Sequence, residues 1–200
     1  MRGEREKDVR IRDSHLTPHT SHLLKRLAVL IATAGGVGYV PIAPGTAGSL
    51  IGCLLAWWWP WPGTSPVSVI AMAAAAWLGA LASTAAEQDL KRHDPPCIVI
   101  DEVVAMWMTI LLRPFALLPP GAYPVETLLH GIVSPLAFLL FRLFDIAKPP
   151  PLKRLAQLPG GWGVMADDLG AALYTLLILW SAWLAIAIAS GSLIWWHIHR

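Results

Sequence analysis

The sequence predicts an all-α membrane protein, a polytopic helical bundle of about four to five apolar segments, some of them short or only partially spanning. Three observations predict it. Of 200 residues, 56% are hydrophobic and only 14% charged, too few charges to clothe a soluble domain of this size. No charged residue occurs from Leu27 to Ala86. No stretch shows strand-like alternation of any length; the apolar runs are instead cut by Pro and Gly into pieces approaching the roughly 20 residues of a spanning helix.

The elements follow in order. Residues 1–26 form a polar tail, expected to be disordered, in which Arg2, Arg5, Lys7, Arg10 and Arg12 alternate with Glu4, Glu6, Asp8 and Asp13; no apolar stretch or cleavage pattern makes it a signal peptide. Residues 27–190 form the membrane domain. An entry segment near Leu27 to Tyr39 is broken by Gly35-Gly36 and Gly38. The first helix runs from about Thr46 to Trp59 and is short for a span. The Pro60-Trp61-Pro62-Gly63 turn leads to a second, from about Val67 to Ala86. A polar stretch, Glu87 to Pro96, precedes a third apolar piece, Ile98 to Leu112, also short. A Pro-rich turn leads to the fourth helix, about Glu126 to Phe144, and a loop rich in Pro, Gly and basic residues leads to the fifth, from near Asp167 to about Ile188. Residues 191–200 are a C-terminal tail. Trp57, Trp58, Trp59 and Trp61, and Trp195-Trp196, stand at segment ends, as in a membrane-interface belt.

Charge narrows the functions. The net charge is +2, from 15 basic and 13 acidic residues, so no nucleic-acid partner is expected. Cys53 and Cys97 lack metal-site spacing and suggest no disulfide framework. The positive-inside rule puts the basic tail and Lys25-Arg26 in the cytoplasm. The helices then deliver Gly45-Thr46, Asp89 to Asp94, Asp101-Glu102, Arg142, Asp145, Lys148 and Asp167-Asp168 to that same inner face. A chain needing only soluble loops would spread such groups over both sides.

Each group alone has two readings. Asp101-Glu102 lies between Ile98-Val99-Ile100 and Val103-Val104, and is either a carboxylate pair capping a helix start or a costly buried pair that binds a metal. Arg142, Asp145 and Lys148 stand three residues apart on a helix. They are an ion-pair ladder, or two cations gripping a phosphate beside a metal-binding Asp145. Asp167-Asp168 follows Gly160-Gly161-Trp162-Gly163 and is an N-cap after a turn or a site fed by a phosphate-cradling loop. Together the five carboxylates Asp101, Glu102, Asp145, Asp167 and Asp168 make a hard oxygen set, suited to Mg²⁺ rather than zinc. His93 and His130 are expected to have surface or core roles. No thiolate loop, Asp-x-Asp pair or Ser-Gly-His is present, and the Asp-Gly…Ala-Arg signature of CDP-alcohol phosphotransferases is missing too. For phosphoryl chemistry this leaves carboxylates and a metal, which can polarise a phosphoryl oxygen and activate water.

Four blocks, in order, resemble the phosphatidylglycerophosphatase A family: Pro44 to Leu50; His93-Asp94 with Ile98 to Glu102; Phe141 to Ile146 with Lys148-Pro149; and Gly160 to Asp168. The resemblance spans roughly Gly35 to Ile188. It implies an all-helical bacterial inner-membrane enzyme, multi-pass, with a cytoplasmic-side site. The implied reaction is Mg²⁺-dependent hydrolysis of phosphatidylglycerophosphate to phosphatidylglycerol, within phospholipid biosynthesis. On that basis Asp101, Glu102, Asp145 and Asp168 are the expected catalytic residues, and Asp101, Glu102, Asp145, Asp167 and Asp168 the metal ligands. Thr46, Arg142, Lys148 and Gly161 are expected to bind the phosphate of a lipid that stays in the bilayer. The alternatives are a phosphatase of another lipid phosphate, such as phosphatidate, and a non-catalytic ion-binding protein. The latter should place its ionisable residues near mid-membrane; here they stand at helix ends. Oligomeric state is not legible.

Overall fold

A computed structural model describes the backbone of residues 18–114 and 126–198, and side chains over 23–114 and 131–189. The described residues are helical, without strands. The elements are α1 (Pro18–Ala32), a 3₁₀ turn (Val37–Tyr39), α2 (Pro44–Trp58), α3 (Pro66–Leu90), α4 (Ile100–Leu112), α5 (Glu126–Ala147), α6 (Leu152–Leu155) and α7 (Gly161–Ile198).

Local chemistry explains the helix starts. Pro44 opens α2 and Pro66 opens α3, where the fixed φ of proline suits the first turn and its missing N–H costs nothing. The Ser65 hydroxyl caps α3 by accepting the Ser68 N–H at 3.2 Å. Asp101 and Glu102 stand in the first turn of α4, where negative charge meets the positive end of the helix dipole.

Helix α4 is the axis of the molecule. Val103, Val104, Ala105, Met106, Trp107, Thr109, Ile110 and Leu111 are all buried, so it is wrapped on every side. Helix α2 lies against it through glycines: a Cβ at Gly48 would come within 2.9 Å of the Val99 carbonyl oxygen, and one at Gly52 within 2.5 Å of the Val103 carbonyl oxygen. Phe141 of α5 and Ala171 and Ala172 of α7 complete the core around Met106 and Ile110. Outside, the surface stays apolar: Ile70, Trp57, Leu139, Ile146 and Ile186 are each more than 60% exposed. Oil-facing rather than water-facing surroundings suit such a surface.

The all-helical expectation is met among the described residues, while four to five spans are not shown. Among the described residues, Pro66–Leu90 and Gly161–Ala189 are long and apolar enough to cross a membrane. With 13 residues, α4 reaches about 20 Å, against a hydrocarbon core of about 30 Å. Several boundaries move. Helix α1 starts at Pro18, inside the stretch read as a tail, while residues 1–17 lie outside the described residues. Helix α3 runs on to Leu90 rather than stopping at Ala86. Helix α7 begins at Gly161 rather than near Asp167 and continues through the expected C-terminal tail to Ile198. The Gly160–Gly163 segment is therefore mostly helix, because its glycines serve contact rather than flexibility. A Cβ at Gly161 would sit 2.3 Å from the Ala80 carbonyl oxygen of α3.

Candidate active site

The starts of α2, α4 and α7 and the ends of α3 and α5 meet around one cleft of about 360 Å³, within the size range of ligand pockets. Its lining joins residues from all five: Gly45 from α2, Arg92 and Asp94 from the loop after α3, Asp101 and Glu102 from α4, Arg142 and Asp145 with Lys148 from α5 and its end, and Asp167 and Asp168 from α7. Backbone strain gathers here too. Ala43 (φ 50°), Asp94 (φ 46°) and Lys148 (φ 43°) line the cleft in the left-handed region, which side-chain-bearing residues rarely occupy unless the surroundings hold them there.

The charges sort into two kinds. The first kind is paired. Arg142 Nη1 donates to Asp145 Oδ2 at 2.6 Å and stands 3.9 Å from Glu102 Oε1. Lys148 Nζ donates to Asp167 Oδ2. Burial alone would pull the Lys148 ammonium down. The bond to Asp167 and the nearby charges of Asp168 and Asp145 outweigh burial and hold it above its ordinary value. The second kind keeps an oxygen without a partner. Asp101, Glu102 and Asp168 each offer one oxygen, and these oxygens lie within 4.8 Å of one another. Among the described residues, Asp101 Oδ1, Glu102 Oε2 and Asp168 Oδ2 are buried without a hydrogen-bond partner. Buried acceptors that lack donors and converge on one point call for a cation or a proton. Hard oxygens at this spacing fit a divalent ion such as Mg²⁺.

Gly45 makes the close approach possible. A Cβ there would lie 2.2 Å from Glu102 Oε1 and 3.1 Å from Arg142 Nη1, so any side chain would push into the acidic cluster.

The structure thus brings together Asp101, Glu102, Arg142, Asp145, Lys148, Asp167 and Asp168. It divides the five expected metal ligands: three converge, while Asp145 and Asp167 each face a basic side chain. Thr46 and Gly161 do not line the cleft. The Gly161 N–H is taken by the Thr84 hydroxyl at 2.9 Å, fastening α7 to α3. Sequence reasoning gathers the stretch Asp89 to Asp94 into this layer but does not single out Arg92 as a cleft residue. It also missed Glu87, a buried carboxylate that accepts the Asp94 N–H at 2.8 Å and faces His93 Nδ1 at 2.9 Å. The available signal was a basic pair directly beside His93-Asp94 in the same layer.

The profile of a family described as Phosphatidylglycerophosphatase A matches residues 30–183. A putative phosphatidylinositol-3-phosphatase of Bacteroides thetaiotaomicron is 34% identical over 158 residues, covering 76% of this chain and 91% of the relative. Phosphatidylglycerophosphatase A of Escherichia coli is 30% identical over 157 residues, covering 76% and 80%. The Haemophilus influenzae protein of that name is 31% identical over 160 residues, covering 76% and 86%. No solved structure matches the chain.

Proposed function

The chain belongs to the phosphatidylglycerophosphatase A family and is a phosphatase of that type, and on this premise we propose that it hydrolyses phosphatidylglycerophosphate to phosphatidylglycerol and phosphate in a Mg²⁺-dependent reaction. The observation that carries the metal requirement is the convergence of Asp101, Glu102 and Asp168 with buried, unpartnered oxygens. A Mg²⁺ held there would polarise the phosphoryl oxygens and make water a better nucleophile. Arg142 and Lys148 hold the phosphate oxygens and stabilise the charge that builds as phosphorus is attacked. Their ion pairs with Asp145 and Asp167 set where those cations stand before substrate arrives. Water adds to phosphorus, a cleft carboxylate takes its proton, and the phosphorus–oxygen bond to the glycerol breaks. The protonated carboxyl returns that proton to the departing glycerol oxygen, and inorganic phosphate is released.

The site's place in the cell follows from the same reading. The enzyme is a multi-pass protein of the bacterial inner membrane, with four to five apolar segments and its cleft on the cytoplasmic side. The lipid tails remain among the helices, and only the head group enters the cleft. The apolar flank of α3 and α7 supports this arrangement.

A second reading concerns the head group. The Bacteroides relative is named for phosphatidylinositol 3-phosphate, which also carries a phosphomonoester beyond a phosphodiester. The test is phosphate release by purified protein in detergent, with and without Mg²⁺, from phosphatidylglycerophosphate, phosphatidylinositol 3-phosphate and phosphatidate. Mg²⁺-dependent release fastest from the first lipid supports the proposal. Faster release from the inositol lipid moves the assignment to the second reading, and release unchanged by chelator removes the metal.

A further inference from the structure

Three basic side chains line the cleft, and two are committed. Arg142 is paired with Asp145 and Lys148 with Asp167. Arg92 lines the same cleft and is exposed; among the described residues it has no carboxylate partner. Its backbone, in contrast, is firmly held. Helix α3 closes with Lys91 in the left-handed region at φ 50°, and the Arg92 N–H donates to the Glu87 carbonyl at 3.2 Å. The next two residues are fastened to the buried Glu87 carboxylate, His93 through Nδ1 at 2.9 Å and Asp94 through its N–H at 2.8 Å. A solvated surface arginine needs no such anchorage. Here one residue, Glu87, holds Arg92 through its backbone carbonyl and the two residues after it through its buried carboxylate, while the guanidinium in the cleft lining has no carboxylate partner among the described residues.

Resting on the proposed phosphatase reading, we infer that Arg92 is a specificity-determining residue: it binds the phosphodiester of the substrate while Arg142 and Lys148 hold the phosphomonoester being cleaved. Lipids with phosphate beyond a diester, whether on glycerol or inositol, present two anions to the cleft; phosphatidate presents one. The planar fork of arginine suits two oxygens of a diester. Through Arg92 the cleft distinguishes the two classes of lipid without reading the alcohol between the phosphates. Glu87 acts as a positioning residue through the loop.

The test uses the full chain in mixed micelles. Arg92→Gln should raise KM for phosphatidylglycerophosphate about three- to tenfold, the range for a charge-assisted contact that remains partly solvated, with a smaller change in kcat. The preference for that lipid over phosphatidate should shrink by a similar factor, and Arg92→Lys should recover part of it. Inhibition by inorganic phosphate, which fills only the monoester's place, should shift less than KM. Equal losses on both lipids, or an unmoved KM, would overturn the inference while leaving the phosphatase reading intact. If the unaltered protein releases no phosphate from lipids bearing both a diester and a monoester, that reading fails first and the inference falls with it.

Discussion

The two ends of α4 hold buried atoms without partners among the described residues, and only at the N-terminal end do such atoms belong to side chains that cluster. At the C-terminal end, Trp107 Nε1 and Arg113 Nε lack acceptors. Around them, aromatic rings stack edge to face, Trp59 on Trp107 with centroids 4.8 Å apart. Neighbouring donors are satisfied: Trp59 Nε1 reaches Ser68 Oγ at 2.8 Å, and Trp180 Nε1 reaches the Leu112 carbonyl at 2.9 Å. At the N-terminal end, three carboxylate oxygens converge within 4.8 Å. The lesson concerns convergence. Two separate donors share no ligand between them, whereas three carboxylates gathered within 4.8 Å could share one cation.

The largest expected effect tests that distinction. Asp168→Asn should lower kcat/KM by at least about 100-fold, since metal-assisted charge stabilisation is worth several kcal/mol. The protein should remain folded, because the change removes buried negative charge rather than a packed apolar group. Mg²⁺ should raise the thermal midpoint of the unaltered protein by ligand linkage, and chelator should reverse it. In Asp168→Asn that Mg²⁺ response should shrink or vanish. Near-normal turnover with an intact Mg²⁺ response would remove Asp168 from the metal site.

A matched pair of substitutions applies one steric insult to each end. Gly45→Ala places a Cβ 2.2 Å from Glu102 Oε1, and Gly63→Ala places one 2.2 Å from the Leu111 carbonyl oxygen. Gly63→Ala, which meets backbone, should destabilise by about 1–3 kcal/mol, as overpacking does, and Gly45→Ala, which meets the ends of Glu102 and Arg142, should destabilise less. Only Gly45→Ala should also cut activity, by about tenfold or more, because displaced reacting groups lose their alignment. Thermal melts and turnover on both variants separate the two outcomes. Equal activity losses would mean that the cleft responds to general loosening of the bundle and that Gly45 has no special place in it.

The contrast between the ends was half legible in the sequence. Charge placement and the positive-inside rule brought Asp101, Glu102, Arg142, Asp145, Lys148 and Asp168 into one layer, because helix ends must alternate sides when loops are short. Which charges pair could not be read. Lys148, just past the end of α5, and Asp167 of α7 are 19 residues apart, and only packing decides that they meet. Gly160 to Gly163 reads as a loop because glycine is a poor helix former. Tertiary contact prevails at Gly161, where no side chain fits against α3. Stopping the second helix at Ala86 rested on polarity beginning at Glu87. Glu87 is in fact only 9% exposed, buried by the loop that it organises.

The smallest expected effect separates the paired charges from the unpaired ones by pH. Lys148 is held above its ordinary value of 10.5 despite burial, through Asp167 and the carboxylates beside it. A group whose folded pKa is raised binds its proton more tightly in the folded state. It therefore contributes stability that is fully present below its unfolded value and is lost as pH climbs through the folded one. The unaltered protein should show this alkaline loss of stability, and Lys148→Met should show less of it, with a lower starting stability at neutral pH. The difference should be modest, because the side chain is 33% exposed and solvent screens the pair. Asp145 and Arg142 give the control: Asp145→Asn breaks the other ion pair but leaves Lys148 facing Asp167, so it should retain most of the alkaline slope. If Lys148→Met keeps the full slope, the titrating group lies elsewhere, and the Lys148–Asp167 pair aligns the cleft without contributing to its stability.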